Sequence, residues 1–299
     1  MAETVGLIGL GNAGVALATP ILKQFKVVGY DKDPVRRDIA RAAGVEVAAS
    51  ARGVAESCGI LILSLPNPVI SKAVLGEIGS PSLAGRIVVE TSTVSPDDIN
   101  DLVRIADAAG AAIVESAIVG GVHKLAAGEG TFLVGASQNN FDRVKPILEA
   151  AAEKIFYMGP PGNAMRAKLV NNAVAHAVMV VLVEAAALAA AQGVPIDVFY
   201  ELMRRDSGLM RPLTHRFGER ILGRDFEGGM STANARKDSA MAMDLARDLG
   251  VPLFAISAAH TAYEIGMREG LERMDYSAIA TLWEKWVGVS FAGQKAAGS

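Results

Sequence analysis

The chain has almost no cysteine and few aromatic residues. Cys58 is the single cysteine among 299 residues, so no disulfide can form within the chain. The expected compartment is therefore a reducing one, the cytoplasm. Aromatic residues make up 5%, so the core must be built from small aliphatic side chains. Neither sign of charge dominates, because 29 Lys+Arg stand against 32 Asp+Glu for a formal net charge of −3. That excludes the electrostatic footprint of a nucleic-acid partner and a polybasic membrane patch. An unbroken membrane-length apolar run is missing too. The most apolar stretch, 169–191, is interrupted by Asn171, Asn172, His176 and Glu184, and it reads as a buried helix of a soluble protein. No export signal is expected at the start, which lacks a basic segment followed by an apolar run.

The apolar content is high. Hydrophobic residues form 51% and charged residues 20% of the chain, which excludes disorder. At roughly 100–200 residues per domain, the length suggests two domains. In the first half, short aliphatic runs recur at 5–8, 27–30, 60–65, 87–90, 112–115, 131–135 and 155–158. They are near-continuous, as in strands covered on both faces. Segments 34–43 and 96–109 read as helices between them, so the alternation predicts βαβ units and a parallel sheet. The pattern changes at the turn cluster GPPGNA. A helix of more than 25 residues is predicted over 164–192, ended by Gly193 with Pro195 beyond. Leu249-Gly250-Val251-Pro252 marks another helix end. The predicted division is an α/β domain over 1–162 and an all-helical domain over 163–299.

Gly9, Gly11 and Gly14 form G-x-G-x-x-G directly after the first strand and at the head of a helix. In that context the loop, with Asn12 and Ala13 inside it, is a pyrophosphate cradle rather than an ordinary tight turn. The helix N-terminus adds unpaired N–H groups and partial positive charge. Asp31 ends the second strand, where a carboxylate would accept from the ribose hydroxyls of NAD and repel a 2′-phosphate. Lys32, Arg36 and Arg37 beside it could instead serve a phosphate. A solvated turn residue is the plain alternative. Leu65-Pro66 and Thr91-Ser92-Thr93 follow strands at their carboxyl ends, where open α/β sheets bind ligands, or they are ordinary loops.

Lys168, Asn172 and His176 recur at i, i+4 and i+8 on the long helix, so they share one face. A lysine in an apolar helix costs free energy unless its charge is matched. It is either set against a substrate oxygen or a snorkelling side chain at the helix start.

Taken together, these segments resemble the β-hydroxyacid dehydrogenases, the group of 3-hydroxyisobutyrate dehydrogenase, tartronate semialdehyde reductase and 6-phosphogluconate dehydrogenase. The resemblance covers nearly the whole chain. GLIGLGNAG looks like the family's cofactor loop, and ETSTVSP like its D-x-S-T-x-x-P, which places Thr93 near the nicotinamide ribose. ESAIVGGVHKLAAGEG is similar to the substrate motif, GNAMRAKLVNN to the catalytic motif and ARKDSAMAMDLA to the later K-D motif. The resemblance implies a Rossmann-type domain followed by an all-α domain, joined by a long helix. It implies Lys168 as general acid and base, Asn172 with residues 119–121 (Val119, Gly120, Gly121) at the substrate, and Lys237 on the cofactor side. NAD rather than NADP is the expected cofactor, no metal is expected, and the partner is a small-molecule substrate. A homodimer or homotetramer through the helical half is implied.

Departures from the family pattern bear on the substrate. Where the motif usually reads D-A-P-V-S-G-G, this chain has Val119 in place of the serine. It therefore lacks a side-chain donor worth roughly 1.5–3 kcal/mol to a bound carboxylate. His123 and Lys124 stand where small residues are usual, and Ala164 replaces a glycine. The implied reaction is hydride transfer between a nicotinamide and a small 3-hydroxy acid or its aldehyde or keto acid. An imine reductase on the same scaffold and a non-catalytic NAD-binding protein are the alternatives. The presence of Lys168 weighs against the first, and Lys168 with Asn172 against the second. His176 reads as structural, and nothing in the spacing requires Arg211 or His215 at the substrate.

Overall fold

The computed structural model describes residues 3–205 and 208–293. The chain divides into two units, residues 1–172 and 173–299. In the first unit, strands β1 (Thr4–Ile8), β2 (Lys26–Tyr30), β3 (Glu46–Val47), β4 (Ile60–Leu63), β5 (Ile87–Glu90), β6 (Ala112–Val119), β7 (Gly130–Gly135) and β8 (Ala152–Tyr157) form one sheet in the order β3-β2-β1-β4-β5-β6-β7-β8. The order reverses at β1, which lies between β2 and β4. A crevice for a ligand opens at the carboxyl ends of strands at such a point.

The sheet is parallel except at one step, and there the expectation of an all-parallel sheet is corrected. β7 runs antiparallel to β6, with Glu115 opposite Gly135 and Val119 opposite Thr131. Residues 120–129 alone join the two strands. That is shorter than the roughly dozen residues a parallel crossover needs, so the chain folds back. Gly128, in the left-handed region at φ 81°, makes the return. β6 also runs four residues past the expected 112–115, and β3, two residues long, was too short to register as an apolar run.

Alternation along the strands sends side chains to both faces. On one face Leu7, Ile62, Val89 and Phe132 pack under α1 (Asn12–Ile21) and α8 (Gln138–Glu149). On the other, Ile8, Leu63 and Val88 pack under α3 (Ala51–Ser57), α4 (Pro68–Ile78) and α6 (Pro96–Ala108). The first unit also holds α2 (Pro34–Ala42), α5 (Ser80–Leu83) and α7 (Val122–Ala127). Side-chain caps start several of these helices. Asp33, Ser50, Asn67 and Ser95 each accept from a first-turn N–H, and Ser95 forms a capping box with Asp98.

The long helix α9 (Asn163–Ala191) leaves the sheet and runs into the second unit, where Gly193 follows it at φ 78°. The second unit is helical: α10 (Ile196–Met203), a π-helix (Pro212–Ile221), α11 (Thr232–Leu249), α12 (Ala255–Arg268), a 3₁₀ turn (Tyr276–Ile279) and α13 (Ala280–Val287). Glu184 accepts from the backbone N–H groups of Phe254, Ala255 and Ile256 and so starts α12. Asp275, fully buried, accepts from Ser277 N–H and Oγ and pairs with Arg216.

The expectation that α9 is buried is corrected. Only 11% of its most apolar window is buried within the chain. Val170, Val174, Met179 and Val183 face outward, each more than half exposed. Apolar residues run all round this helix, and several of them stay exposed.

Candidate active site

The first cavity, about 570 Å³, lies over the crevice where the strand order reverses. Gly9 turns the chain out of β1 at φ 97°, and its N–H donates to Tyr30 O at 2.9 Å. A side chain on Gly9 would collide with the Ser64 carbonyl, and one on Gly14 with the Gly9 carbonyl. Gly11 differs, because nothing lies within 4 Å of where its Cβ would be. It opens α1 with no side-chain cap, so the first N–H groups of the helix are left for a ligand. Gly9, Gly11, Asn12, Ala13 and Gly14 all line the cavity, as do Asp31, Leu65 and Pro66.

Asp31 is held in place from both sides. Its Oδ2 accepts from Leu10 N–H at 2.8 Å and its Oδ1 from Asp33 N–H at 2.9 Å. Each oxygen keeps a lone pair for a sugar hydroxyl. Of the neighbouring cations, Arg37 donates to the Asp31 carbonyl at 2.7 Å and Arg36 to Asn12 Oδ1 at 2.8 Å, while Lys32 lines the cavity. A cradle with free space at Gly11, a helix N-terminus and an oriented carboxylate fit a dinucleotide.

A second cavity of about 290 Å³ shares Ala13, Ser64, Leu65 and Pro66 with the first. Thr93, Gly120, Gly121 and Lys168 line it. Lys168, only 7% exposed, donates from Nζ to Thr93 Oγ1 at 2.8 Å. Burial holds its ammonium below the ordinary lysine range. Gly120 sits at φ 105°, a conformation that favours glycine. The loop after β5 is braced, with Thr91 Oγ1 donating to Leu63 O at 2.6 Å and Leu65 N–H to Ser92 Oγ at 2.9 Å.

Not every expected residue reaches this cavity. Val119 ends β6 opposite Thr131 and does not line it, whereas Ile118 does. Asn172 lies one turn beyond Lys168, outside the lining, with Asn171 Nδ2 at 3.4 Å from its Oδ1. His176 is exposed. Lys237 belongs to α11 of the second unit and pairs with Asp238 at 3.3 Å. His215, on the π-helix of that unit, has Nδ1 at 3.0 Å from Glu219.

Two buried glutamates beneath the site were given no role by the sequence. Glu90 Oε1 accepts from Ser92 N–H at 2.7 Å, and burial pushes its carboxyl up. Glu115 accepts from the N–H groups of Gly162, Ala164 and Met165, and burial outweighs those donors to raise it as well. The available signal was an acidic residue in each of two largely apolar strands.

A family model described as the NAD binding domain of 6-phosphogluconate dehydrogenase matches residues 4–159, more than half of the chain. Another, the NAD-binding domain of NADP-dependent 3-hydroxyisobutyrate dehydrogenase, matches 162–283. The 2-(hydroxymethyl)glutarate dehydrogenase of Eubacterium barkeri is 31% identical over 294 residues, covering 97% of both chains. The chain belongs to the β-hydroxyacid dehydrogenase family. The NAD-dependent L-serine dehydrogenase of Pseudomonas aeruginosa, 29% identical over 94% of this chain and 98% of its own, is another relative. An imine reductase from Pseudomonas sp. superposes with a TM-score of 0.84 over 95% of this chain and 100% of its own, at 18% identity, which shows a shared fold. As a β-hydroxyacid dehydrogenase, the protein is an NAD-binding oxidoreductase that acts on the CH–OH group of a small molecule.

Proposed function

We propose that this β-hydroxyacid dehydrogenase oxidises the hydroxyl of a small 3-hydroxy acid, and reduces the matching carbonyl, with Lys168 carrying the proton. The observation behind this reading is the buried Lys168 ammonium, bonded to Thr93 in a cavity that shares four residues with the glycine-loop cavity. NAD, when bound, supplies the hydride acceptor and, reduced, the donor. Gly9, Gly11 and Gly14 with Asn12 and Ala13 would hold its pyrophosphate. Asp31 would hold its adenosine ribose and disfavour a 2′-phosphate. Leu65 and Pro66, which line both cavities, and Thr93, which lines the second, would face the nicotinamide end. The Gly120 and Gly121 amides would bind the substrate carboxylate. That recognition lies in the backbone and does not need the side chain at 119. Asn172 and Lys237 keep their assignments on the motifs alone.

Thr93 has a defined task. A neutral lysine has two N–H bonds and one lone pair. By accepting one N–H, Thr93 Oγ1 anchors the amine at the cavity wall and leaves its other N–H and its lone pair free for the substrate. For oxidation the neutral amine is the active form. Because burial lowers the Lys168 pKa, kcat/KM for oxidation rises with pH and levels off with a midpoint under the ~10.4 of free lysine. For reduction the ammonium is active and the rate falls through the same group. Initial rates across pH 6–11 with 3-hydroxy acids, sulfonates and cyclic imines test both points. Turnover of imines alone, or rates independent of pH in both directions, would refute the proposal.

The second part of the reading is assembly. α9 presents outward apolar residues, and α10 also exposes Ile196, Val198 and Leu202, each by at least half. We place a second copy of the chain against these residues, in a homodimer or homotetramer. Sedimentation equilibrium at micromolar protein should give twice or four times the chain mass, and a monomer there would contradict this assembly. We place the enzyme in the cytoplasm, a compartment that suits one buried thiol, Cys58, pushed up to about 11 by burial.

A further inference from the structure

We propose that Glu115 is the positioning residue for Lys168: its carboxylate, anchored in the sheet, clamps the first turn of α9 and so sets where the ammonium meets Thr93. The proposal builds on the role of Lys168 given above. Glu115 Oε2 accepts from Gly162 N–H at 2.7 Å and Ala164 N–H at 3.2 Å, and Oε1 from Met165 N–H at 2.6 Å. A helix start leaves about four N–H groups without partners, and one distant carboxylate satisfies three here. Lys168 is three residues beyond Met165 on the same rigid helix, so a shift of the first turn becomes a shift of the ammonium.

The clamp is fixed at its other end. Glu115 lies in β6, between β5 and β7, opposite Glu90 on one side and Gly135 on the other. It is fully buried. Gly135 is part of the device, because a Cβ there would overlap Glu115 Oε2 and press on the Pro160 carbonyl at 3.1 Å. Gly135 is not among the glycines at positive φ, so alanine is excluded by space and not by backbone strain. Glu90 braces the partner side by holding Ser92, next to Thr93.

Two substitutions disturb the clamp by different routes. Glu115→Gln keeps the shape but turns one oxygen into an NH₂ that faces an amide donor. Gly135→Ala leaves the carboxylate in the chain and displaces it. A misplacement near 1 Å can cost about 10²-fold in rate, so each should lower kcat by about 10- to 100-fold. The NAD dissociation constant, read by fluorescence, should stay within about twofold, since the glycine loop is untouched. The readout that separates positioning from mere stability is pH-dependent amine labelling of Lys168 in the unliganded protein, followed by mass spectrometry. Its midpoint should rise toward the ~10.4 of free lysine as the side chain reaches solvent. The double variant should be no worse than the more impaired single one, because both act on one contact.

If Glu115→Gln fails to fold, Gly135→Ala carries the test. Variants that lose thermal stability but keep the wild-type kcat and labelling midpoint would overturn the proposal. Labelling needs no turnover. An active Lys168→Ala enzyme would therefore remove the proton-transfer reading and leave the Glu115 result to stand or fall by itself.

Discussion

Lys168→Ala should lower turnover by about 10²- to 10⁴-fold, the range that a positioned general acid and base contributes, while NAD still binds. The two effects separate because Lys168 lines the second cavity and is not among the residues lining the first. Lys168→Met should be equally inactive and more stable. The folded-state pKa of this lysine lies below its unfolded value. Between the two, the unfolded chain holds a proton that the folded chain has lost, so stability rises with pH through that window. Below that window the buried ammonium destabilises the fold in full. Methionine fills the same space without charge and should raise Tm by about 2–4 °C, the shift ~1 kcal/mol produces in a domain of roughly this size. The hydrogen bond lost at Thr93 offsets part of the gain. Kinetics and calorimetry on the pair check both effects. Retained turnover in either variant would exclude Lys168 as the proton carrier.

The glycine loop gives the second large effect, and its three positions should respond differently. Gly14→Ala forces a methyl against the Gly9 carbonyl. It should destabilise the fold by about 1–3 kcal/mol, as overpacking does, and weaken NAD binding with it. Gly11→Ala meets nothing within 4 Å, and Gly11 already has an ordinary extended backbone, with φ −68° and ψ −172°. The fold should therefore keep its Tm. The new methyl instead occupies the space where phosphate oxygens approach the first amides of α1, and NAD affinity should fall by about tenfold or more, the equivalent of one lost charge-assisted hydrogen bond. Gly9→Ala combines a collision at the Ser64 carbonyl with a positive φ and should be the most destabilising of the three. Thermal melts beside NAD titrations distinguish them. Normal NAD binding by the Gly11 variant would mean that the dinucleotide does not lie on this loop.

The parts of the fold visible in the sequence are those that depend on local pattern. β1, β5 and the long helix lie within a residue or so of their apolar runs, because burial on two faces leaves an unbroken aliphatic signature. The glycine loop and Asp31 were legible because their spacing fits one ligand. The direction of β7 was not, since it follows from how little chain joins it to β6. Glu115 was not either, because its three amide partners lie 47 to 50 residues away and one acidic residue in a strand has no period. The exposure of α9 shows a further limit. Periodicity reports that a helix is apolar, and does not report what packs against it. Val119 was read from a motif position, but the pleat turns Ile118 toward the cavity.

The most direct test of the account is a crystal structure of the enzyme with NAD and a non-turning-over 3-hydroxy acid analogue. In that complex Lys168 Nζ should lie within hydrogen-bond distance of the analogue's 3-hydroxyl, with the carboxylate on the Gly120 and Gly121 amides. A hydroxyl held by another group, with Lys168 still bonded only to Thr93, would contradict it.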